Sequence, residues 1–135
     1  MYVEKVRYFY NKIKTIAISK FDNIKLYFSF LKENNIAQAF DFFEMGLLDE
    51  CANRLRIIVK LWPDDQQAKY LLSVVYVINK ERVRAYKLLK TIDNYKPQRV
   101  EKMIHIILNS RLDRIFDRYV ETFNLQEVER EIDKL

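Results

Sequence analysis

Apolar residues recur along this chain at helical spacing, with charged residues set between them. Over residues 2–18, Val3, Val6, Phe9, Tyr10, Ile13, Ile16 and Ala17 fall on one stripe, and Glu4, Lys5, Lys12 and Lys14 fall mostly on the other side. That three-to-four-residue period predicts an amphipathic helix. A second helix is expected from Asp22, a good cap residue, to Lys32, with Ile24, Phe28 and Leu31 inward and Glu33, Asn34 and Asn35 ending it. Two helix pairs follow. Residues 36–45 stop at Gly46 as a left-handed terminator, and Asp49 caps a partner over residues 50–62. Asp64, with Gln67 three residues on, reads as a capping box for a helix to Asn79, whose partner spans residues 81–93. The remainder predicts helices over residues 98–109 and 112–123. Asn124 with Glu127 then signals a last helix of about ten residues.

Superposed on this pattern is a repeat. The two prolines, Pro63 and Pro97, stand 34 residues apart. At the same interval Ala39 pairs with Ser73, Phe42 with Tyr76, Cys51 with Ala85, Leu55 with Leu89 and Ile58 with Ile92. Each pair keeps its size class, and Gly46 against Lys80 is the exception. A fixed period of this length marks a stacked-repeat architecture.

The spacing resembles the tetratricopeptide repeat family, whose 34-residue unit is two antiparallel helices with small residues at their crossing and a proline after the second. Ala39 and Ser73 match its first small position and Phe42 and Tyr76 its aromatic one. Cys51 and Ala85 match the second small position, Leu55 and Leu89 the large apolar one, and Pro63 and Pro97 the closing proline. Small residues at a crossing let helix axes approach to about 8–10 Å. Asn35 and Lys69 stand where the family has a tryptophan-like residue, and Trp62 lies elsewhere. The resemblance covers two units, about residues 32–65 and 66–99. A third unit would put Ile107 at the small position and Ser110 at the aromatic one, a degenerate repeat. It implies an all-α, right-handed superhelix of antiparallel helix pairs in a single domain: N-terminal helices over residues 1–33, two units over 34–97, and a degenerate repeat with a capping helix over 98–135.

In that family the first helices of successive units line a concave groove that grips an extended peptide or a helix. The resemblance places Ile36, Phe40, Phe43, Tyr70, Val74, Val77, Ile104 and Leu108 on it, an almost wholly apolar lining. Left open, it would exceed the apolar patch a soluble monomer usually shows. Its occupant is expected to be either the chain's own N-terminal helix or an apolar segment of another protein or a second copy. Carboxylate-clamp members need Lys, Asn and Arg where this chain has Ile36, Phe40 and Leu71, so that subclass is disfavoured. Small helical-repeat chaperones of bacterial secretion systems are similar in size and groove character.

Composition agrees with an all-α chain: half of the 135 residues are apolar, 14% are aromatic, and Gly46 is the single glycine. Helices exclude glycine and proline from their interiors, whereas hairpin-rich folds consume turn glycines. One cysteine, Cys51, rules out an internal disulfide and suits a reducing compartment. No apolar run approaches the roughly 20 residues that span a bilayer, and the N-terminus has no uninterrupted signal-peptide core. A cytoplasmic protein is expected.

Little in the chain is arranged for chemistry. His105 is the only histidine, without a partner at zinc-ligand spacing. Cys51 sits at a packing position, Asp41 and Glu44 on a solvated face, and Asp64 and Asp65 at a helix start, where the dipole favours them. There is no glycine loop for a phosphate. No enzyme and no cofactor are expected.

The net charge of +5 is spread unevenly: residues 1–35 hold seven basic and three acidic side chains. Lys80, Arg82, Arg84, Lys87 and Lys90 form a second basic patch, read first as a solvated outer face and second as a contact for an acidic partner or a phosphate backbone. The first helix, basic on one side and aromatic on the other, has the character of helices that lie on anionic membranes. A protein partner or self-association is the leading expectation, ahead of an anionic membrane surface and nucleic acid.

Overall fold

The computed structural model of the chain describes residues 2–109 and 124–134. Six helices are present among them: α1 Tyr2–Glu44, α2 Leu48–Leu61, α3 Gln66–Ile78, α4 Arg82–Leu89, α5 Pro97–Leu108 and α6 Leu125–Asp133. No strand occurs among the described residues. The helix expected over residues 112–123 lies outside them. The residues group into two compact units, Met1–Asn34 and Asn35–Leu135.

The two N-terminal helices expected from the sequence are one. α1 runs without interruption through Glu33, Asn34 and Asn35. None of the three is glycine or proline, and asparagine costs a helix interior only about 0.7 kcal/mol against alanine. Asp22, expected to cap a second helix, is therefore mid-helix and exposed.

The second unit begins with the last turns of α1, where Ala39 and Phe43 face inward. α2 packs on α3, α3 on α4, and α5 lies against both α3 and α4, with α6 on α5. α3 is predominantly apolar and is buried from Ala68 through Ile78, Lys69 and Ser73 included. α2 buries Cys51, Ala52, Leu55 and Ile58, α4 buries Ala85 and Leu89, and α5 buries Val100, Met103, Ile106 and Ile107.

Repetition at 34 residues is carried into the backbone. Gly46 has φ 75° and Lys80 φ 60°, so both take the left-handed conformation. Around Gly46, its amide donates to the Phe43 carbonyl at 3.0 Å and the Leu47 amide to Phe42 at 2.9 Å. Around Lys80, its amide donates to Val77 at 3.1 Å and the Glu81 amide to Tyr76 at 2.9 Å. Leu47 (φ −83°, ψ 71°) and Glu81 (φ −87°, ψ 71°) then open the next helices. The paired positions Ala39, Ser73, Cys51, Ala85, Leu55 and Leu89 are all interior.

Helix ends depart from expectation in three places. α2 starts at Leu48 without a side-chain cap, leaving Asp49 and Glu50 in its first turn. The cap of α3 is Asp65, whose Oδ1 accepts from the Ala68 amide at 2.9 Å, while the Asp64 carbonyl accepts from Gln66. α4 ends at Leu89, short of Asp93: the Thr91 and Ile92 amides turn to Leu88 and Leu89, and the Asp93 amide donates to Gln66 Oε1 at 2.8 Å. Asn124 caps α6 through the Gln126 amide at 2.9 Å, and Pro97 opens α5 at a position that needs no N–H.

Candidate functional site

The eight residues assigned to the groove do not form an open apolar surface. Phe43, Tyr70, Val74 and Val77 are fully buried; Ile36, Phe40 and Ile104 are half-buried against the same core, and Leu108 is exposed. α6 reaches one of them, Tyr70. Val128 and Ile132 of that helix join the core at four-residue spacing, and Glu129 between them is buried as well.

Glu129 is the centre of a polar seat built from three elements. The Tyr70 hydroxyl on α3 donates to Glu129 Oε2 at 2.6 Å, and Lys96 Nζ, at the start of α5, lies 3.1 Å from the same oxygen. Arg99 Nη1 also donates to it, and Arg99 Nη2 pairs with Asp133 Oδ2 at 2.9 Å. The Lys102 ammonium donates to the Asp133 carbonyl at the end of α6. Lys96 lies 4.7 Å from the centroid of the Tyr70 ring, which meets Tyr95 edge-on at 5.5 Å. A buried carboxylate is costly unless paired and hydrogen-bonded, and here two cations and a hydroxyl compensate it.

These contacts set the charge states. Burial, and then the hydrogen bond to Glu129, pushes the Tyr70 hydroxyl far above its usual range, so it stays a donor. The hydrogen bond with Asp133 holds the Arg99 guanidinium more firmly protonated and Asp133 below the usual carboxylate range. Lys96, Arg99, Glu129 and Asp133 were not singled out by sequence. The available signal was the four-residue spacing of Glu129 and Asp133 beside Val128 and Ile132, opposite cations clustered around Pro97.

Asn35 and Lys69 make polar links between segments. Asn35 Oδ1 accepts from Arg54 Nη1 at 3.1 Å, and Lys69 Nζ donates to the Thr91 carbonyl at 3.4 Å. Of the predicted basic patch, Arg84 and Lys87 join Arg56 and Lys60 round a concavity of 530 Å³ floored by Val59, Leu72, Tyr76 and Leu88. Lys80, Arg82 and Lys90 lie outside its lining; Lys80 serves the turn, and Lys90 lies over the Tyr86 ring at 5.0 Å.

Cys51 is fully buried, and burial pushes its thiol up to about 12, which leaves it un-ionised and unreactive at neutral pH. His105 is exposed, with its Nε2 2.8 Å from Asn109 Nδ2. No cluster of His, Cys, Asp or Glu suited to a metal occurs among the described residues.

In the first unit, every side chain from Tyr2 to Phe30 is exposed. Because α1 does not break, the stripe of Val3, Val6, Phe9, Tyr10, Ile13, Ile16 and Ala17 continues in register into Ile24, Tyr27 and Phe28. No helix among the described residues is long and apolar enough to cross a membrane. No family model, curated protein or solved structure matches the chain.

Proposed function

We propose that the protein is a non-enzymatic interaction module of tetratricopeptide-like build whose second unit grips an amphipathic helix. The observation that carries this reading is α6 itself. It is held by two apolar residues, Val128 and Ile132, and by a carboxylate received on Tyr70, Lys96 and Arg99. An adaptor or chaperone that takes a helix of this kind uses apolar anchors for affinity and the Glu129 seat for register. Each large buried anchor contributes about 1.5–3 kcal/mol, enough in small number for micromolar binding. The partner class is then a protein segment with an apolar–acidic pair repeated after four residues, or α6 of a second copy.

The right-handed superhelical stacking belongs to the same proposal. It is supported by the two conformationally matched turns at Gly46 and Lys80 and by the interior placement of the paired residues.

A peptide exchange experiment tests the reading. In the full chain, Val128→Asp with Ile132→Asp is expected to release α6 and leave the seat able to bind a labelled peptide of residues 124–134. Adding Arg99→Glu is expected to abolish that binding. A variant that stays folded by circular dichroism yet takes up no peptide would sink the proposal.

A further inference from the structure

The exposed stripe of α1 carries a second function that does not depend on the helix-gripping unit. We propose that residues 2–27 of α1 form a membrane-surface anchor, a helix that lies along the interface of an anionic bilayer with its apolar stripe inward.

Val6, Phe9, Ile13, Ile16, Ile24 and Tyr27 are between 49% and 64% exposed on one continuous helix. At 1.5 Å per residue they belong to a stripe roughly 40 Å long. Soluble monomers rarely leave a contiguous apolar surface of that extent open to water. A covering surface must match both the stripe and its borders.

The borders decide which surface fits. At roughly 100° per residue, Lys5 and Lys12 fall along one edge of the stripe, and Arg7, Lys14 and Lys25 along the other. Glu4 and Asp22 fall in the middle of the opposite face. On an anionic bilayer this order is complementary: the apolar side chains sink below the headgroups, the edge cations meet the phosphates, and the carboxylates point to water. Lys20 falls inside the stripe, where its long stem can snorkel to the headgroups.

A second copy of the helix fits poorly by the same criterion. Parallel or antiparallel, its edges set cations opposite cations, and Lys20 would lie in the seam. Nucleic acid would meet the charges and leave the apolar stripe wet. Spanning is excluded for α1 by its charge content, so the helix lies on the bilayer.

Flotation of the full-length protein with phosphatidylcholine vesicles, with and without phosphatidylserine, tests the proposal. The protein is expected to float with the anionic vesicles and to bind neutral ones at least about ten-fold more weakly. Phe9→Asp with Ile13→Asp is expected to abolish flotation, and Lys12→Gln with Lys14→Gln to weaken it about 30-fold, each cation being worth about a factor of five. All four positions are exposed, so unchanged circular dichroism in solution serves as the folding control. Equal binding to both vesicle types, flotation indifferent to the aspartate substitutions, or no flotation would overturn the proposal. So would a dimer in sedimentation equilibrium that ignores vesicles and dissociates on Ile13→Asp, which would assign the stripe to a second copy.

Discussion

Lys80 holds a conformation that the chain assigns to a glycine one repeat earlier. The left-handed backbone costs a residue with a Cβ about 1–2 kcal/mol, and the turn at Lys80 nevertheless keeps the hydrogen bonds of the turn at Gly46. Lys80→Gly is therefore expected to raise stability by about 1 kcal/mol, and Gly46→Ala to lower it by about 1–2 kcal/mol. Urea midpoints at unchanged slope would measure both. A destabilised Lys80→Gly would mean that the lysine side chain outweighs the strain. Cys51 makes the other test at this scale. Its thiol stays protonated in the folded chain up to about 12, against 9.0 when exposed. The unfolded chain thus loses this proton first as pH rises, so the thiol's contribution is intact below pH 9.0 and disappears between there and about 12. Labelling with an aromatic disulfide at pH 7 should follow global unfolding; stoichiometric labelling of the folded protein would contradict the buried placement.

Among the elements, α6 depends most on a few polar contacts. Tyr70→Phe removes one donor from Glu129 and leaves Lys96 and Arg99, so a loss of about 1–2 kcal/mol is expected in chemical denaturation. Arg99→Ala is expected to cost more, since it strips partners from both Glu129 and Asp133. Equal, negligible effects would mean that Val128 and Ile132 alone hold the helix. How far this was readable in advance differs between elements. The Asn124 cap and the last helix were legible, because capping is a local transaction between a side chain and the next amides. The seat was not, because Tyr70 and Glu129 are 59 residues apart and no local pattern joins them. The glycine itself marked the stop at Gly46, and the repeat period picked out the interior positions Ala39, Ser73, Cys51, Ala85, Leu55 and Leu89. The resemblance assigned Phe43, Val74 and Val77 to a groove without fixing its occupant, because a period fixes which residues share a face and not what covers them; all three are fully buried. The break expected at Glu33–Asn35 failed for a related reason: polar residues end a helix only when a competing cap or turn takes up the backbone, and neither is present there.

Taken whole, the chain joins two units of opposite character through one helix. Residues 35–109 and 124–134 contain the buried core, while the side chains of residues 2–30 are exposed throughout. In proteins most helical stability comes from packing of an amphipathic face rather than from propensity, and exposed side chains supply little of it. Amides in residues 2–30 are therefore expected to exchange with solvent deuterium through local opening, orders of magnitude faster than those of Ala68–Ile78 in α3, whose opening exposes the core. Limited trypsin digestion should likewise cut after Lys12, Lys14 and Lys20 before any site in α3. Uniform protection along α1 and α3 would show that the first unit is held by contacts absent from this arrangement. Anionic vesicles offer a specific contrast: if the stripe of α1 enters an interface, protection should rise in residues 2–27 and remain unchanged in α3. That difference separates an anchor that folds onto a surface from a helix that is merely long.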